Sequence, residues 1–279
     1  MQRMIGILIT LVGSAFNELS DTIGKRKMSD GMESYYTFGF LNLLFSTLFL
    51  VYIGAWRHDL LFSLSSLPTF IPRLFLEIAQ AHVSILAVTK ADRSDFGPIR
   101  VLTVPLLLLV DIALGYAITT NQMIGIGIIV LTIFILLFHE RFHTKGFLLI
   151  LFTAVNAVAT ISLYKYDISH FNSVESEQVI IQLVLLLYFF ILAVTRGYEN
   201  PLTFLRRPAF LVQAIASSFA PTIGSFAYLF APASVITAAL RAFIVLFSIL
   251  SGNFYFKENG FFFKSFIFLG ILLGVILLL

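Results

Sequence analysis

The strongest constraint on the fold is a succession of apolar segments, each about as long as a membrane-spanning helix. A helix needs roughly 20 mainly apolar residues to cross a bilayer, and ten such segments follow one another with short connections. They cover residues 4–24, 33–56, 67–90, 94–117, 121–139, 145–165, 176–195, 207–229, 232–254 and 261–279. Only 12% of the 279 residues are charged, against about 25% in a soluble domain. We therefore predict an all-α integral membrane protein with ten transmembrane helices, a multi-pass protein of the plasma (inner) membrane.

An internal duplication relates the two halves of the chain. At an offset of half the chain length, matches fall in register without gaps over most of the sequence. The matched residues are Gly6 with Gly146, Lys25 with Lys165, Pro68 with Pro208, Phe70 with Phe210, Ala87 with Ala227, Ala91 with Ala231 and Ser94 with Ser234. Each half then holds five spans, and two copies of an odd-span unit must lie in opposite orientations. We predict an inverted repeat of two five-helix halves, residues 1–139 and 140–279, that together form one membrane domain.

Two arginines lie deep inside spans that the duplication relates. Arg241 is about ten residues, or roughly 15 Å, into the ninth span, and Arg100 in the fourth span lies one position from its counterpart. An arginine at that depth costs about 2.5 to 3.5 kcal/mol on insertion scales, so it should face a partner or a wet cavity. On a helix, Arg241 shares a polar face with Ser234 and Thr237. In an inverted repeat the two arginines should converge near the midplane, where they are suited to bind a carboxylate or a phosphate.

Internal neutralisation is the alternative role for both arginines. Glu18, Glu77 or Asp111 would then pair with them, and the arginines would only fix helix packing. The two alternatives differ in the expected effect of Arg241→Gln. Internal pairing predicts lower stability and a joint loss of transport of every substrate, whereas binding predicts a selective loss of affinity for anionic substrates in a folded protein.

The first span is the most polar of the ten. Asn17, Glu18 and Asp21 lie within an arc of about 100° on its helix, opposite the leucines. Two carboxylates within one turn are costly in a membrane unless they are hydrated or paired. We interpret this face as part of a substrate pathway, with a packing stripe as the alternative. Asn156 lies on the corresponding polar stripe of the sixth span.

Ionisable side chains of the third and fourth spans are candidates for proton coupling. Glu77 shares one face of the third span with Gln80, and His82 lies elsewhere on the same helix. A glutamate inside the membrane can carry a proton, but Glu77 would equally well neutralise an arginine, and His82 fits a packing role. Asp111 lies about 16 Å along the axis from Arg100, too far to pair with it.

Other spans show less sign of a site. The second and seventh spans are apolar around Asn42 and Gln182, and we predict them to be scaffold. Gly270 and Gly274 form a close-packing signature in the last span, which fits a helix contact within the fold or the face of a homodimer. Basic residues favour the odd-numbered loops, while Arg73 counts among the few at the opposite membrane edge. The positive-inside bias would then leave both termini outside the cytoplasm.

Several classes of function find no support in the sequence. The chain has no cysteine, so it has no disulfide, thiolate metal site or catalytic thiol. It has no glycine-rich phosphate loop, which argues against an ATP-driven pump. The net charge of +3 does not suggest nucleic acid. His139 and His143 have metal-ligand spacing, but two ligands in a terminal loop are a weak signal. We predict no enzyme activity, no metal site and no cofactor.

Ten spans, a duplicated five-span unit and one local motif resemble the drug/metabolite transporter superfamily, specifically its EamA-type branch. The motif is APASVITAAL at 231–240, followed by FKENG at 256–260 and the glycine-spaced last span, with a fainter copy that ends in NQMIG at 121–125. The chain departs from the family in lacking the acidic turn residue in the first half and in carrying Arg241. The resemblance implies a central cavity lined by helices 1, 3, 4, 6, 8 and 9.

These features predict a secondary transporter that moves a small anionic or zwitterionic metabolite, for example an amino-acid-like one, by alternating access. Arg241 and Arg100 would bind the acidic group, while Glu18, Asp21 and Glu77 would hold an ammonium group or a coupling proton. The expected partners are a small-molecule substrate, the lipid bilayer and a proton, with a homodimer left open and nucleic acid excluded. The alternative is a non-transporting membrane scaffold or a lipid-handling protein.

Overall fold

The structure, a computed structural model, describes residues 2–58, 60–113, 119–139, 146–230 and 233–278. Within these ranges it does not describe the side chains of residues 2–4, 7, 93–95, 122, 137, 219–221, 223, 234, 235 and 278. The described chain forms twelve α-helices, a short 3₁₀ turn at Leu64–Ser66, and no strand. The helices are α1 (Gln2–Ser29), α2 (Tyr35–Arg57), α3 (Leu67–Lys90), α4 (Arg93–Arg100), α5 (Thr103–Ala113), α6 (Thr120–His139), α7 (Phe147–His170), α8 (Val174–Thr195), α9 (Pro201–Phe204), α10 (Pro208–Ala227), α11 (Ala233–Phe254) and α12 (Phe261–Leu278).

Helices occupy the described parts of all ten predicted segments, which confirms that the fold is all-helical in the part of the chain that the structure describes. Six helical stretches there are long and apolar enough to cross a membrane. They are Tyr35–Arg57, Leu64–Lys90, Phe96–Ala113, Phe147–His170, Val174–Thr195 and Ile236–Phe254. Helices of this length and composition indicate a membrane-embedded protein.

The fourth segment departs from the continuous span predicted for it. Helix α4 ends at Arg100 and α5 begins at Thr103. Pro105 has no N–H to offer the carbonyl of Val101, and its ring would clash with that oxygen in a continuous helix. The Val101 carbonyl instead accepts a hydrogen bond from the N–H of Val104 at 2.8 Å. The helix is therefore interrupted immediately after an arginine that we predict to bind substrate.

The most extensive helix contacts join the two halves of the chain. Helix α1 packs against α10 and α11, α2 against α8 and α10, α3 against α7, α4 against α11, and α6 against α12. Each of these pairs has one helix before residue 140 and one after residue 146. The halves are therefore interdigitated rather than side by side, and a site between them draws residues from both.

The two glycines of the last span face a neighbouring helix of the same chain. A Cβ atom on Gly274 would lie 2.8 Å from the carbonyl oxygen of Gly125 in α6, and one on Gly270 would collide with Thr132. The signature therefore makes a close contact between α12 and α6. Of the two alternatives, the contact within the fold accounts for these glycines, and a homodimer stays a prediction without them.

Candidate functional site

A cavity of about 400 Å³ lies between the two halves. Residues of α1, α2, α3, α7, α8, α10 and α11 line it, together with the last residue of α4. The polar lining residues are Ser14, Asn17, Asn42, Arg73, Glu77, Gln80, Arg100, Thr160, Tyr164, Gln178, Ser217, Ser225, Tyr228 and Arg241. Four residues that the sequence predicts for substrate binding therefore share one cavity: Asn17, Glu77, Arg100 and Arg241.

Arg241 is buried in the wall of this cavity without a counter-ion among the described residues. It is 3% exposed, and its Nε atom has no hydrogen-bond partner. No described residue forms an ion pair or a hydrogen bond with its guanidinium group. A charged group held out of water costs several kcal/mol unless it is paired and hydrogen-bonded. The arrangement therefore leaves the strongest anion-binding group of the ninth span available to a ligand.

Tyr228 forms the wall next to Arg241. Its hydroxyl hydrogen-bonds the hydroxyl of Thr237 at 3.0 Å, and its ring packs edge-on against that of Tyr164. It lies within electrostatic range of both Arg241 and Glu77. Thr237, a predicted substrate-binding residue, is not among the lining residues. Its hydroxyl contacts Tyr228 instead and supports that side chain. The side chain of Ser234 lies outside the described residues.

Arg73, which the sequence placed only among the basic residues of one membrane edge, is a buried residue of the cavity lining. It is 1% exposed. It forms an ion pair with Glu177 of α8 and a longer one, at 3.5 Å, with Glu77, and its guanidinium carbon lies 4.5 Å from the centre of the Tyr164 ring. Glu77 therefore pairs with Arg73. Helical spacing offered the missed signal, since Arg73, Glu77 and Gln80 lie on one face of α3.

Arg100 lies at the break between α4 and α5, beside the helix that carries Arg241. Its guanidinium carbon is 5.0 Å from the centre of the Phe96 ring. Gly97 allows the close approach, because a Cβ atom there would lie 3.0 Å from the Cα of Val245 in α11 and would collide with the Ser248 hydroxyl. The two arginine-bearing helices are therefore in direct contact, and both arginines reach the same cavity.

The two carboxylates of the first span are not among the residues that line this cavity, and their place in a substrate pathway stays a prediction. Glu18 accepts a hydrogen bond from the hydroxyl of Ser251 in α11. Asp21 accepts one from the Nδ2 of Asn17 at 3.1 Å. Both side chains lie further along α1 than the lining residues, and Glu18 points toward α11. Of the three predicted residues, Asn17 alone is part of the lining.

Asn156 is not itself a lining residue, but it contacts Gln80, which lines the cavity. Its Nδ2 donates to the Oε1 of Gln80 at 2.9 Å and to the carbonyl of Leu76 at 2.9 Å. It therefore orients a lining residue of α3. The second and seventh spans, predicted to be scaffold, also contribute to the lining, through Asn42 and Gln178.

His82 and Asp111, two of the three residues predicted for proton coupling, lie away from the cavity lining. The Nδ1 of His82 in α3 is 2.9 Å from the hydroxyl of Tyr188 in α8, so the two side chains join these helices. Asp111 is buried and lies within electrostatic range of Lys165. Proton coupling through these residues stays a prediction, and Glu77 is the candidate that reaches the cavity.

A second buried charge cluster lies where α1 leads into α2, beyond the predicted first span. The Nζ of Lys27 donates to the Oε1 of Gln213 at 3.0 Å, and the Nε2 of Gln213 lies 3.5 Å from the Oε2 of Glu33. Burial raises the pKa of the Glu33 carboxyl from its ordinary value of 4.5 to about 8, although Lys27 and Gln213 oppose the shift. This cluster ties the start of α10 to the connection between α1 and α2.

The weak metal signal of His139 and His143 is only partly within the described chain. His139 stacks on Phe263 with the ring centres 3.8 Å apart, while His143 and Glu140 lie outside the described residues. Among the residues that were placed, no group of three histidine, cysteine, aspartate or glutamate side chains forms a metal site.

Comparison with known proteins does not identify the chain. No model of a known protein family matches it, and no curated protein matches it either. The resemblance to the drug/metabolite transporter superfamily therefore rests on the residues that suggested it. The six spans that the resemblance assigns to a central cavity correspond to α1, α3, α4–α5, α7, α10 and α11. Each of these spans contributes lining residues, and α2 and α8, the second and seventh spans, contribute as well.

Proposed function

We propose that this chain is a secondary transporter that moves a small anionic or zwitterionic metabolite across the plasma membrane by alternating access. The single observation that carries this proposal is Arg241, a buried guanidinium group with no counter-ion among the described residues, in the wall of a cavity of about 400 Å³. That volume suits a small metabolite, because ligand pockets commonly measure about 300 to 1,000 Å³.

The charges of the lining favour an acidic substrate that also carries an ammonium group. Arg73, Arg100 and Arg241 line the cavity together with one carboxylate, Glu77. Arginine is suited to bidentate recognition of a carboxylate or phosphate. Glu77 and Arg241 both lie within electrostatic range of Tyr228, so a substrate beside this tyrosine would meet charges of both signs. An amino-acid-like zwitterion fits this arrangement.

We further propose that all ten segments cross the membrane as an inverted repeat of residues 1–139 and 140–279, as in the EamA-type branch. The packing supports this. In the proposed repeat α1 is equivalent to α7, and α10 is equivalent to α3. The α1–α10 contact therefore corresponds to the α7–α3 contact, and both contacts are extensive. The α2–α8 and α6–α12 contacts each join equivalent helices of the two halves. Substrate sites at the interface of two such repeats are typical of secondary transporters.

Untargeted metabolite profiling of cells and medium tests the proposed function. Cells would express the native chain, Arg241→Gln, or the control Arg206→Gln at matched membrane levels. Arg206 is an exposed arginine in the connection before α10, so its replacement changes the net charge by the same amount without touching the cavity. We expect one anionic or zwitterionic metabolite to redistribute with the native chain and the control, and not with Arg241→Gln.

Two results would contradict the proposal in different ways. If Arg241→Gln redistributes the same metabolite as the native chain, Arg241 is not the binding group. If the native chain redistributes no metabolite in hosts of differing metabolism, a non-transporting scaffold or a lipid-handling protein becomes the better account. The short connections between the helices leave little outside the membrane for a scaffold to use, which is why we place transport first.

A further inference from the structure

Two lysines matched by the duplication make the same contact in the two halves. The Nζ of Lys25 donates to the carbonyl of Ala91 at 2.7 Å, and the Nζ of Lys165 donates to the carbonyl of Tyr228 at 2.7 Å. Ala91 directly follows α3, and Tyr228 directly follows α10. The carbonyl groups at a helix C-terminus lack intrahelical partners, and a cation there also interacts favourably with the helix dipole. Each lysine therefore caps the helix that precedes an arginine-bearing segment.

Lys25 is also placed near a carboxylate from the other half of the chain. The Oε1 of Glu258, just beyond α11, lies 3.8 Å from the Nζ of Lys25. Lys25 thus connects the third helix of its own half to the end of the fourth span of the other half. The helix-capping contact is the part of the arrangement that occurs twice.

The two lysines lie at opposite ends of the cavity. Helices α3 and α7 run antiparallel, because the Thr69 hydroxyl donates to Asp167 while the Gln80 side chain donates to the carbonyl of Thr153 at 3.1 Å. Lys165 is therefore level with the beginning of α3, and Lys25 is level with its end. A helix of 24 residues is about 36 Å long. The cavity is lined by the part of α3 between these ends.

We propose that Lys25 and Lys165 are equivalent latches, one at each end of the cavity, and that release of either lysine opens the cavity toward its own end. They are positioning residues, since neither lines the cavity. Each donates to the residue that directly follows α3 or α10, ahead of the segment with Arg100 or Arg241. This inference rests on the proposed alternating access, and it assigns the residues that keep each end closed.

The absence of cysteine from the chain makes a direct test possible. A single Ser14→Cys substitution places the only thiol of the protein in the cavity wall. A membrane-impermeant maleimide would be applied to right-side-out and to inside-out membrane vesicles, and the labelling rate measured from each face. Lys25→Met and Lys165→Met would be added one at a time, because methionine keeps much of the apolar length and removes the ammonium group.

We expect each lysine variant to raise the labelling rate from one membrane face only, and the two variants to act on opposite faces. The increase should be roughly tenfold or more, as expected for the loss of one charge-assisted hydrogen bond. Lys90→Met is the matched control, since Lys90 is exposed and immediately precedes Ala91. Lys25→Arg and Lys165→Arg keep a donor and a charge, and they should restore the native labelling pattern.

The latches would be refuted if both lysine variants raised labelling from the same face, or if neither changed it while the protein stayed monodisperse. If a methionine variant aggregates, the corresponding leucine variant decides the question in the same way, because it also removes both the donor and the charge. The assay needs no substrate. A chain that shows opposite-sided labelling but moves no metabolite would refute the transport proposal alone, and one that transports without sided labelling would refute the latches alone.

Discussion

Two arginines in the wall of one cavity differ in what surrounds them. Arg73 is held by Glu177 and Glu77 and by the face of Tyr164. Arg241 is equally buried, yet no described residue neutralises it. Once a charge is buried, pairing it with an opposite charge, as for Arg73, stabilises the fold relative to leaving it unpaired. A buried charge without a counter-ion, as for Arg241, destabilises the fold. Arg73 is therefore part of a paired, structural cluster, and Arg241 is the arginine that we propose to bind the substrate.

The contrast between these arginines predicts opposite effects on stability. Arg73→Gln leaves Glu177 buried, at 0% exposure, without its partner. This should cost about 3 to 5 kcal/mol and lower the melting temperature of the detergent-solubilised protein. Arg241→Gln removes an uncompensated charge, so it should leave that melting temperature unchanged or raise it.

A control and a rescue accompany the comparison. Arg26→Gln also removes an ion pair, with Asp30, but both side chains are largely exposed, at 58% and 42%, so its loss should cost only about 0 to 1 kcal/mol. The double variant Arg73→Gln, Glu177→Gln should recover much of the lost stability. A lower melting temperature for Arg241→Gln would instead favour internal neutralisation of Arg241.

Glu33 gives the protein a predictable dependence on pH. Its pKa is about 8 in the folded protein, raised chiefly by burial, against an ordinary value of 4.5. Between these values the folded state binds more protons than the unfolded chain, so stability should fall as the pH rises from about 5 to 8. Burial lowers the pKa of Lys27 to about 8, and its contribution to the pH dependence therefore appears only above that pH.

Melting temperatures measured across this pH window test the assignment. Glu33→Gln keeps the shape of the side chain without its titration, so the native protein should lose stability relative to this variant as the pH rises. Asp30→Asn, at an exposed position in the same connection, should run parallel to the native protein. Parallel curves for the native protein and Glu33→Gln would show that Glu33 is not the titrating group.

At the scale of single elements, the arginine-bearing helices α4 and α11 are the pair on which the site depends. Their contact is close because Gly97 has no side chain to separate them. After Arg100 the carbonyl of Val101 accepts a hydrogen bond from the N–H of Val104, three residues on, because Pro105 has no N–H to donate. Interrupted helices at the substrate site are a common device of secondary transporters.

Replacing Gly97 tests whether this contact positions the two arginines. In Gly97→Ala the new methyl group would overlap the backbone of Val245 and the Ser248 hydroxyl. Overpacking of this kind costs about 1 to 3 kcal/mol, and we expect a lower melting temperature and a weaker apparent affinity for the transported metabolite. Gly127→Ala is the matched control, because a Cβ atom there meets nothing within 4 Å. Equal behaviour of the two variants would contradict the role given to the contact.

At the scale of the whole molecule, the sequence predicts helix positions far better than it predicts which residues meet. Apolar segments of bilayer length have few alternatives to a helix, and the observed helices begin and end within a few residues of the predicted spans. The partner of Arg73 is 104 residues away along the chain, and nothing local distinguishes Glu177 from other carboxylates. Likewise, the rotation of α1 that brings Asn17 to the cavity and leaves Glu18 outside is fixed by packing against α10 and α11.

The internal duplication proposed from the sequence predicted that Arg100 and Arg241 would converge. Both arginines line the cavity, and Lys25 and Lys165, which match at the same offset, each donate to a backbone carbonyl. Matching positions alone do not identify the lining, because neither lysine lines the cavity, whereas Glu77, which does, corresponds to Ser217.

Uptake by the purified chain in liposomes tests both the proposed transport and the role of Arg241 in it. The native protein and Arg241→Gln would be reconstituted at equal density, and uptake of the metabolite identified by profiling would be followed against its concentration. We predict saturable uptake by the native chain and a rise in KM of roughly tenfold or more for Arg241→Gln, as expected for the loss of a charge-assisted hydrogen bond. Uptake no faster than in protein-free liposomes, or an Arg241→Gln curve that matches the native one, would contradict the account.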